Sequence, residues 1–412
     1  MRKRPRLAVM FAPESVPLLP FRAATSEICD ICWIVDSSIP QLADSLPLLR
    51  RLGEVIEISS FDAEKGRSAA LQDAAFDGIV TFSDDAIVET ATLAAALNLP
   101  GNPPEAATRL VNKLEQRRAL EASNVPIPRF RGIPASASDG DIIDSGHHVG
   151  FPAVVKPATG NGGRHVHRVE DQSSLRKAVR SIRSSGHAGD LILERELIGR
   201  PRFPYGDYVS VECVASAGEV QVVTVTGRMP LSTPFRETGA FIPSALPDDD
   251  EQAVEAMAVA AAAAIGVTTG CLHIEIKLTP DGPRIIEVNG RVAGGGIADL
   301  VADVTGHSMF ELASRAALGL PLPELGPKRP EVVAYQFALQ PPLDVATVLD
   351  DETVPTLRAL DTVRRVSVRT REAHVQQAAG SYGYLLMLYG VAADHAAIVR
   401  AYEVMHSLAR PA

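Results

Sequence analysis

The chain has 412 residues, of which 46 % are hydrophobic and 22 % charged, and its formal net charge is −10. That length suits about two to four compact units with real cores. The acidic balance argues against a nucleic-acid binder with a broad basic face, while leaving room for one basic pocket around a nucleotide.

Four cysteines are too few for a disulfide scaffold. Cys29 and Cys32 form a CxxC in CDICWIVD, but no second pair stands at ligand spacing, so the segment reads as a buried strand. Cys213 and Cys271 sit in apolar runs and read as core. The basic start MRKRPR is followed only by the short run LAVMFA, less than a signal peptide requires, and no stretch of about 18 uncharged apolar residues exists. The expectation is a soluble, cytoplasmic protein with neither a membrane nor a nucleic-acid partner.

In chain order, RLAVMF, CWIVD, VIEIS and DGIVTF are short apolar runs separated by helical spacing, as in SIPQLADSLPLLRRLG. This predicts a parallel sheet with crossover helices over residues 1–108. LPGNPPEAATRLVNKLEQRRALEAS reads as a turn entering a helix, and VPIPRFRGIP as an extended linker. A second unit, 109–190, contains strand FPAVVKP, glycine-rich turn ATGNGGRH, strand VHRVE and a helix that Asp171 would cap.

DLILERELIG is the next strand and opens a third unit, 191–325. YVSVECVASAGEVQVVTVTGRM alternates as antiparallel strands do, and DDDEQAVEAMAVAAAAAIG is a helix with its acids at the favourable end. Gly270–Leu278 and Pro283–Asn289 form a hairpin turned by TPDGP. A glycine run and a helix follow, and residues 326–412 read as a small mixed appendage. The fold class is α/β, with α+β parts.

That hairpin carries the strongest chemical signal. Strands alternate faces, so His273, Glu275 and Lys277 share one face of HIEIKL, while Glu287, Asn289 and Arg291 share one face of the second strand. If the strands pair, two carboxylates and a carboxamide converge, a donor set suited to Mg²⁺, with Lys277 and Arg291 facing anions. An ordinary half-exposed hairpin with alternating charges would read the same way. Lys156 ends the apolar strand VVKP, where a lysine calls for an anionic partner, and the following GNGG can bring amides to phosphate. Lys113 lies on a helix, and LILERELIG ends a strand on Glu194. His165 and His167 alternate beside the glycine loop and suit surface or phosphate contact better than acid–base work. No Ser-His-Asp or Cys-His constellation is evident.

Taken in this order, these features resemble the ATP-grasp superfamily and, within it, the carboxylate–amine ligases. The phrases RETGAFIPSALP, HIEIKLTPDGPRIIEVNGRVAGGG and SYGYLLMLYG are most similar to the branch of L-amino-acid ligases and carnosine synthases. The resemblance implies an N-terminal parallel α/β domain, an ATP-binding lid and a catalytic α+β core. It implies that Lys113 and Lys156 bind ATP phosphates under a loop containing Gly162 and Gly163. Glu194 to Leu197 would form the adenine hinge, and Asp207 would stand where the family usually has a ribose-binding glutamate. Glu275, Glu287 and Asn289 would hold Mg²⁺, which Mn²⁺ can replace. Arg291 would stabilise an acyl phosphate, with Arg228 near the γ-phosphate or the carboxylate substrate. The implied reaction joins a carboxylate, such as an amino acid, to an amine with release of ADP and phosphate, in a homodimeric enzyme. Purine-pathway or biotin-carboxylase-like enzymes, and a nucleotide-binding module without turnover, are the competing expectations.

Overall fold

The computed structural model describes residues 4–13, 16–58, 71, 73–325, 331–375, 377–408 and 410–411. The first three residues of the basic N-terminus, and residues 326–330 at the head of the C-terminal region, lie outside them.

Strands β1 (Arg6–Phe11), β2 (Asp30–Asp36), β3 (Glu54–Ile58) and β4 (Gly78–Thr81) form a parallel sheet in the order β3-β2-β1-β4. All four cysteines of the chain are buried and free, and burial pushes the Cys29 and Cys32 thiols up to about 11, so the CxxC is core.

A four-stranded antiparallel sheet follows, β5 (Phe130–Ile133), β6 (Ala153–Pro157), β7 (His167–Val169) and β8 (Leu191–Arg195), in the order β5-β8-β6-β7. The proline-flanked FRGI, read from sequence as linker, is the edge strand β5: prolines before and after it cannot donate to a ladder, and an edge tolerates that. Ala153, Val155, Leu191 and Leu193 point into a core under the helices Asp139–Val149 and Gln172–Ser184. By alternation, Val154, Lys156 and Glu194 take the opposite face. Asp171 does cap its helix, accepting from the Ser174 amide at 2.8 Å.

The largest sheet has eight strands. It contains β9 (Tyr208–Ser216), β10 (Glu219–Arg228), β11 (Gly239–Ile242), β12 (Gly270–Thr279), β13 (Gly282–Asn289), β14 (Val333–Ala338), β16 (Val363–Val368) and β18 (Leu386–Ala392). Their order is β13-β12-β9-β10-β11-β14-β18-β16. The C-terminal region, read as an appendage, therefore extends the same sheet as the hairpin, through the β11–β14 pairing. A small sheet of β15 (Ala346–Val348), β17 (Glu372–His374) and β19 (Arg410–Pro411) lies beside it.

One face of the large sheet, including Ile274, Ile276 and Val288, packs against the helix Asp248–Ile265 through Val254, Ala258, Ala261, Ala262 and Ile265. Small residues let that helix lie close, and Gly266 ends it at φ 85°. The other face packs through the helices Ile297–Thr305 and Met309–Ala317 onto the parallel sheet. These two helices, read as one, break at Gly306 with φ 73°.

The segment read as a single helix around Lys113 is also two helices, Pro104–Val111 and Lys113–Ala122. Asn112, at φ −109° and ψ 107°, stops the first and caps the second by accepting from the amides of Leu114 at 3.0 Å and Glu115 at 3.2 Å. The break puts Lys113 on the first turn of a helix instead of mid-helix in solvent. Asn112→Ala should destabilise the fold by about 1 kcal/mol, measured by urea denaturation; an unchanged midpoint would contradict the capping role.

Candidate active site

A cavity of about 580 Å³ lies between the four-stranded sheet and the polar face of the large sheet. The alternation of the hairpin is realised. β12 and β13 pair antiparallel with His273 opposite Asn289 and Glu275 opposite Glu287, and the register shifts just beyond Glu275. All four side chains line the cavity.

Two carboxylates directly opposite each other repel, and neighbouring cations offset that repulsion. Lys113 Nζ lies 2.9 Å from Glu287 and donates to the Gly160 carbonyl at 2.6 Å. His273 Nε2 lies 3.4 Å from Glu275, while its Nδ1 lies 2.9 Å from Glu212. Burial opposes charge on His273, but Glu212 and Glu275 outweigh burial and raise its pKa to about 9. That direction favours the protonated ring, held between Glu212 and Glu275. Burial likewise opposes charge on Glu275, yet His273, Arg228 and Lys156 hold it down at about 2.

Glu212 is fully buried on β9 and also accepts from Ser210 and Thr226 at 2.9 and 3.0 Å. Arg228 is buried too. It pairs with Glu237 at 2.8 Å, donates to Ser210 Oγ at 3.1 Å, and lies 3.2 Å from His273 Nε2.

The lysine at the end of β6 has the partner its setting called for. Lys156 Nζ lies 2.8 Å from Glu194, which also takes Arg117 Nε at 2.6 Å. Arg117 in turn donates to the Ile286 carbonyl on β13, so this triad joins the four-stranded sheet, the helix Lys113–Ala122 and the large sheet. Glu194, expected at the adenine hinge, has its carboxylate committed here; Leu197 lines the same cavity two residues beyond the end of β8. Asp207 pairs at 2.6 Å with Lys277, which lines the cavity, while Asp207 itself lies behind that wall.

Arg291 pairs with Asp84 at 2.8 Å, and Asn161 donates to the same carboxylate at 3.4 Å. Asp84 belongs to the N-terminal unit, and nothing in its local sequence marked it. Gly162 and Gly163 adopt φ 68° and 70° in the loop between β6 and β7. A Cβ on Gly162 would lie 2.3 Å from the Tyr382 ring, so the glycine lets that ring from the C-terminal region lie close against the loop. His165 lies in the turn at φ 57°, and only His167 is on β7.

Among the described residues, no group of three or more His, Cys, Asp or Glu is arranged to hold an ion by itself. The donor set nonetheless fits Mg²⁺. Glu275, Glu287 and Asn289 offer hard oxygens too few for a protein cage, as expected for an ion that keeps waters and phosphate oxygens. A divalent cation would also relieve the repulsion between the two carboxylates.

The fold and site define a class. Residues 149–299 match the family model of the ATP-grasp domain, and the chain has the ATP-grasp fold. In sequence it is similar to human carnosine synthase 1, at 31 % identity over 257 residues, covering 59 % of this chain and 31 % of that protein. It is also similar to the L-arginine-specific L-amino acid ligase of Bacillus subtilis, at 25 % over 244 residues, covering 57 % and 56 %. The match thus spans about a third of the one and just over half of the other. The crystal structure of an L-amino acid ligase from Bacillus licheniformis superposes with a TM-score of 0.75 at 22 % identity, covering 100 % of this chain and 99 % of that one. Among the described residues, no helix is long and apolar enough to cross a membrane.

Burial alone would raise the Glu194 pKa, but Arg117 and Lys156 lower it from 4.5 to about 2. Its contribution is therefore present above about pH 4.5 and lost as pH falls through about 2. That linkage is worth roughly 3 kcal/mol at neutral pH. The difference in unfolding free energy between wild type and Glu194→Gln should shrink as pH falls across this window. A difference independent of pH would contradict a buried, ionised Glu194.

Proposed function

We propose that the protein is an ATP-dependent, ADP-forming carboxylate–amine ligase, with amino acids as the substrate class. The carrying observation is the cross-strand pair Glu275–Glu287 with Asn289, ringed by Lys113, Lys156, Arg228 and Arg291 beneath a glycine-rich loop. Paired carboxylates amid cations suit a polyphosphate with its metal, and among the described residues no activated nucleophile accompanies them. That favours phosphoryl transfer, which depends on positioning and charge neutralisation. The similarity to carnosine synthase and the L-amino acid ligases supports the choice of reaction.

Lys113 and Lys156 bind phosphate oxygens, and Gly162 and Gly163 supply loop amides above them. Glu275, Glu287 and Asn289 would hold Mg²⁺, which would supply positive charge to offset that of the phosphates. The backbone around Leu197 faces the nucleoside. The carboxylate oxygen of the first substrate attacks the γ-phosphorus, and the bond to the β-bridging oxygen breaks, leaving ADP and an acyl phosphate. Arg291 and Arg228 balance the negative charge of that intermediate, with Lys277 contributing nearby. The amine lone pair then attacks the acyl carbon; the carbon–oxygen bond to phosphate breaks, phosphate leaves with the electron pair, and the nitrogen sheds a proton.

Phosphate release should be screened over pairs of the standard L-amino acids, with mass detection of the product. An active pair should yield ADP and phosphate in equal amounts. Glu287→Ala should lower that turnover at least about 100-fold with an unchanged circular-dichroism spectrum. Normal turnover in this variant would remove the metal-site assignment.

A further inference from the structure

Arg291 is the cation assigned above to the acyl phosphate, and the residue that holds it comes from another unit. Asp84 stands just beyond β4, an edge strand of the parallel sheet, at the carboxyl end where open α/β sheets gather their functional groups. Its place is pinned by its neighbours. Phe82 packs edge-on against Phe21 and Phe310, with ring centres 5.0 and 5.5 Å away, and Ser83 Oγ donates to the Pro13 carbonyl at 3.0 Å. Asp84 Oδ2 accepts from Arg291 Nε at 2.8 Å and from Asn161 Nδ2 at 3.4 Å, so one oxygen serves both partners. Arg291 and Asn161 line the cavity, while Asp84 lies behind that wall. The Asp84 and Arg291 side chains are only 18 % and 19 % exposed, so solvent screens the pair weakly. Arg291 Nη1 also donates to the Val292 carbonyl at 3.2 Å, so two bonds fix the plane of the guanidinium.

The second donor belongs to the glycine loop, and its orientation is determined. Arg164 Nη2 donates to Asn161 Oδ1 at 2.8 Å. A guanidinium can only donate, so the carboxamide must turn its Nδ2 the other way, to Asp84. At 3.4 Å this contact is long for a hydrogen bond, one that a loop can make and break. Lifting the loop removes one of the two donors from the oxygen that orients Arg291 and leaves the other in place. An aspartate's terminal torsion is soft, so a carboxylate held by one donor swings more freely than one held by two.

We propose that Asp84 is a positioning residue for Arg291, and that Asn161 ties its hold on Arg291 to closure of the glycine loop. With the loop down, Oδ2 carries both donors and the guanidinium stays in one place. With the loop up, the carboxylate and the guanidinium it holds gain freedom together. Arg291 is then set for the acyl phosphate only while the loop covers the phosphates, so charge stabilisation and the exclusion of water arrive in the same step. This inference rests on the ligase reading and on the part Arg291 plays in it.

The test compares wild type, Asp84→Ala, Asn161→Ala and the double variant on the most active pair from the phosphate-release screen. Turnover is expressed per ATP-binding site, counted by equilibrium binding of a non-hydrolysable ATP analogue, so misfolded protein drops out of the comparison. Asp84→Ala should lower kcat about 10- to 100-fold and leave the KM for ATP unchanged. Asn161→Ala should lower kcat about 10-fold, and the double variant should be no slower than Asp84→Ala, because Asn161 acts through Asp84. With the same analogue bound, hydrogen–deuterium exchange across residues 159–164 should be faster in Asp84→Ala than in wild type. Losses that multiply in the double variant, a raised KM at unchanged kcat, or unchanged exchange each overturn the proposal while leaving the ligase reading intact. No phosphate release by wild type with any pair overturns the ligase reading itself, and the exchange comparison, which needs no turnover, still decides whether Asp84 clasps the loop.

Discussion

The site depends on the outer hydrogen bonds of one edge strand. β13 ends the eight-stranded sheet, so one side of its backbone has no partner strand, and Glu287 and Asn289 sit on it. A helix supplies the missing bonds. Gln116 donates to the Val288 carbonyl at 2.8 Å and accepts from the Val288 amide at 2.9 Å, as a neighbouring strand would. Arg117 donates to the Ile286 carbonyl on the same edge. The pairing register shifts at this point, and without the helix the two carboxylates would have a mobile half.

The same helix couples the units. Its cap at Asn112 sets where it starts, its first residue reaches Glu287 and Gly160, and its fifth ties Glu194 to β13. The glycine loop is thereby connected to the face that carries Glu275 and Glu287 through Lys113, to the parallel sheet through Asn161 and Asp84, and to the C-terminal region through Tyr382. Movement of the four-stranded sheet would be felt directly at the carboxylate pair. These contacts are ionic or polar and surround a cavity, so they can exchange partners with phosphate at little packing cost.

Local pattern made much of this legible in the sequence. Period-two alternation placed Glu275, Glu287 and Asn289 on one face, and the apolar run before Lys156 demanded an anion nearby. The parallel sheet of the first hundred residues followed from spacing alone. Partners distant in sequence were illegible. Asp84 lies over two hundred residues before Arg291, and nothing around it suggested a contact. Glu212 carries no local signal in its alternating strand, because its ion pair is with a histidine from another strand. The C-terminal strands read as an appendage because joining a sheet at β11 leaves no local mark. FRGI read as linker because flanking prolines hide an edge strand.

The central claim is that the activated carboxylate passes through an acyl phosphate. It is tested most directly by labelling the carboxylate oxygens of the first substrate with a heavy oxygen isotope and following one turnover by mass spectrometry. The account predicts one labelled oxygen in the released phosphate and none in the adenine nucleotide. Label in AMP, or phosphate free of label, would contradict it.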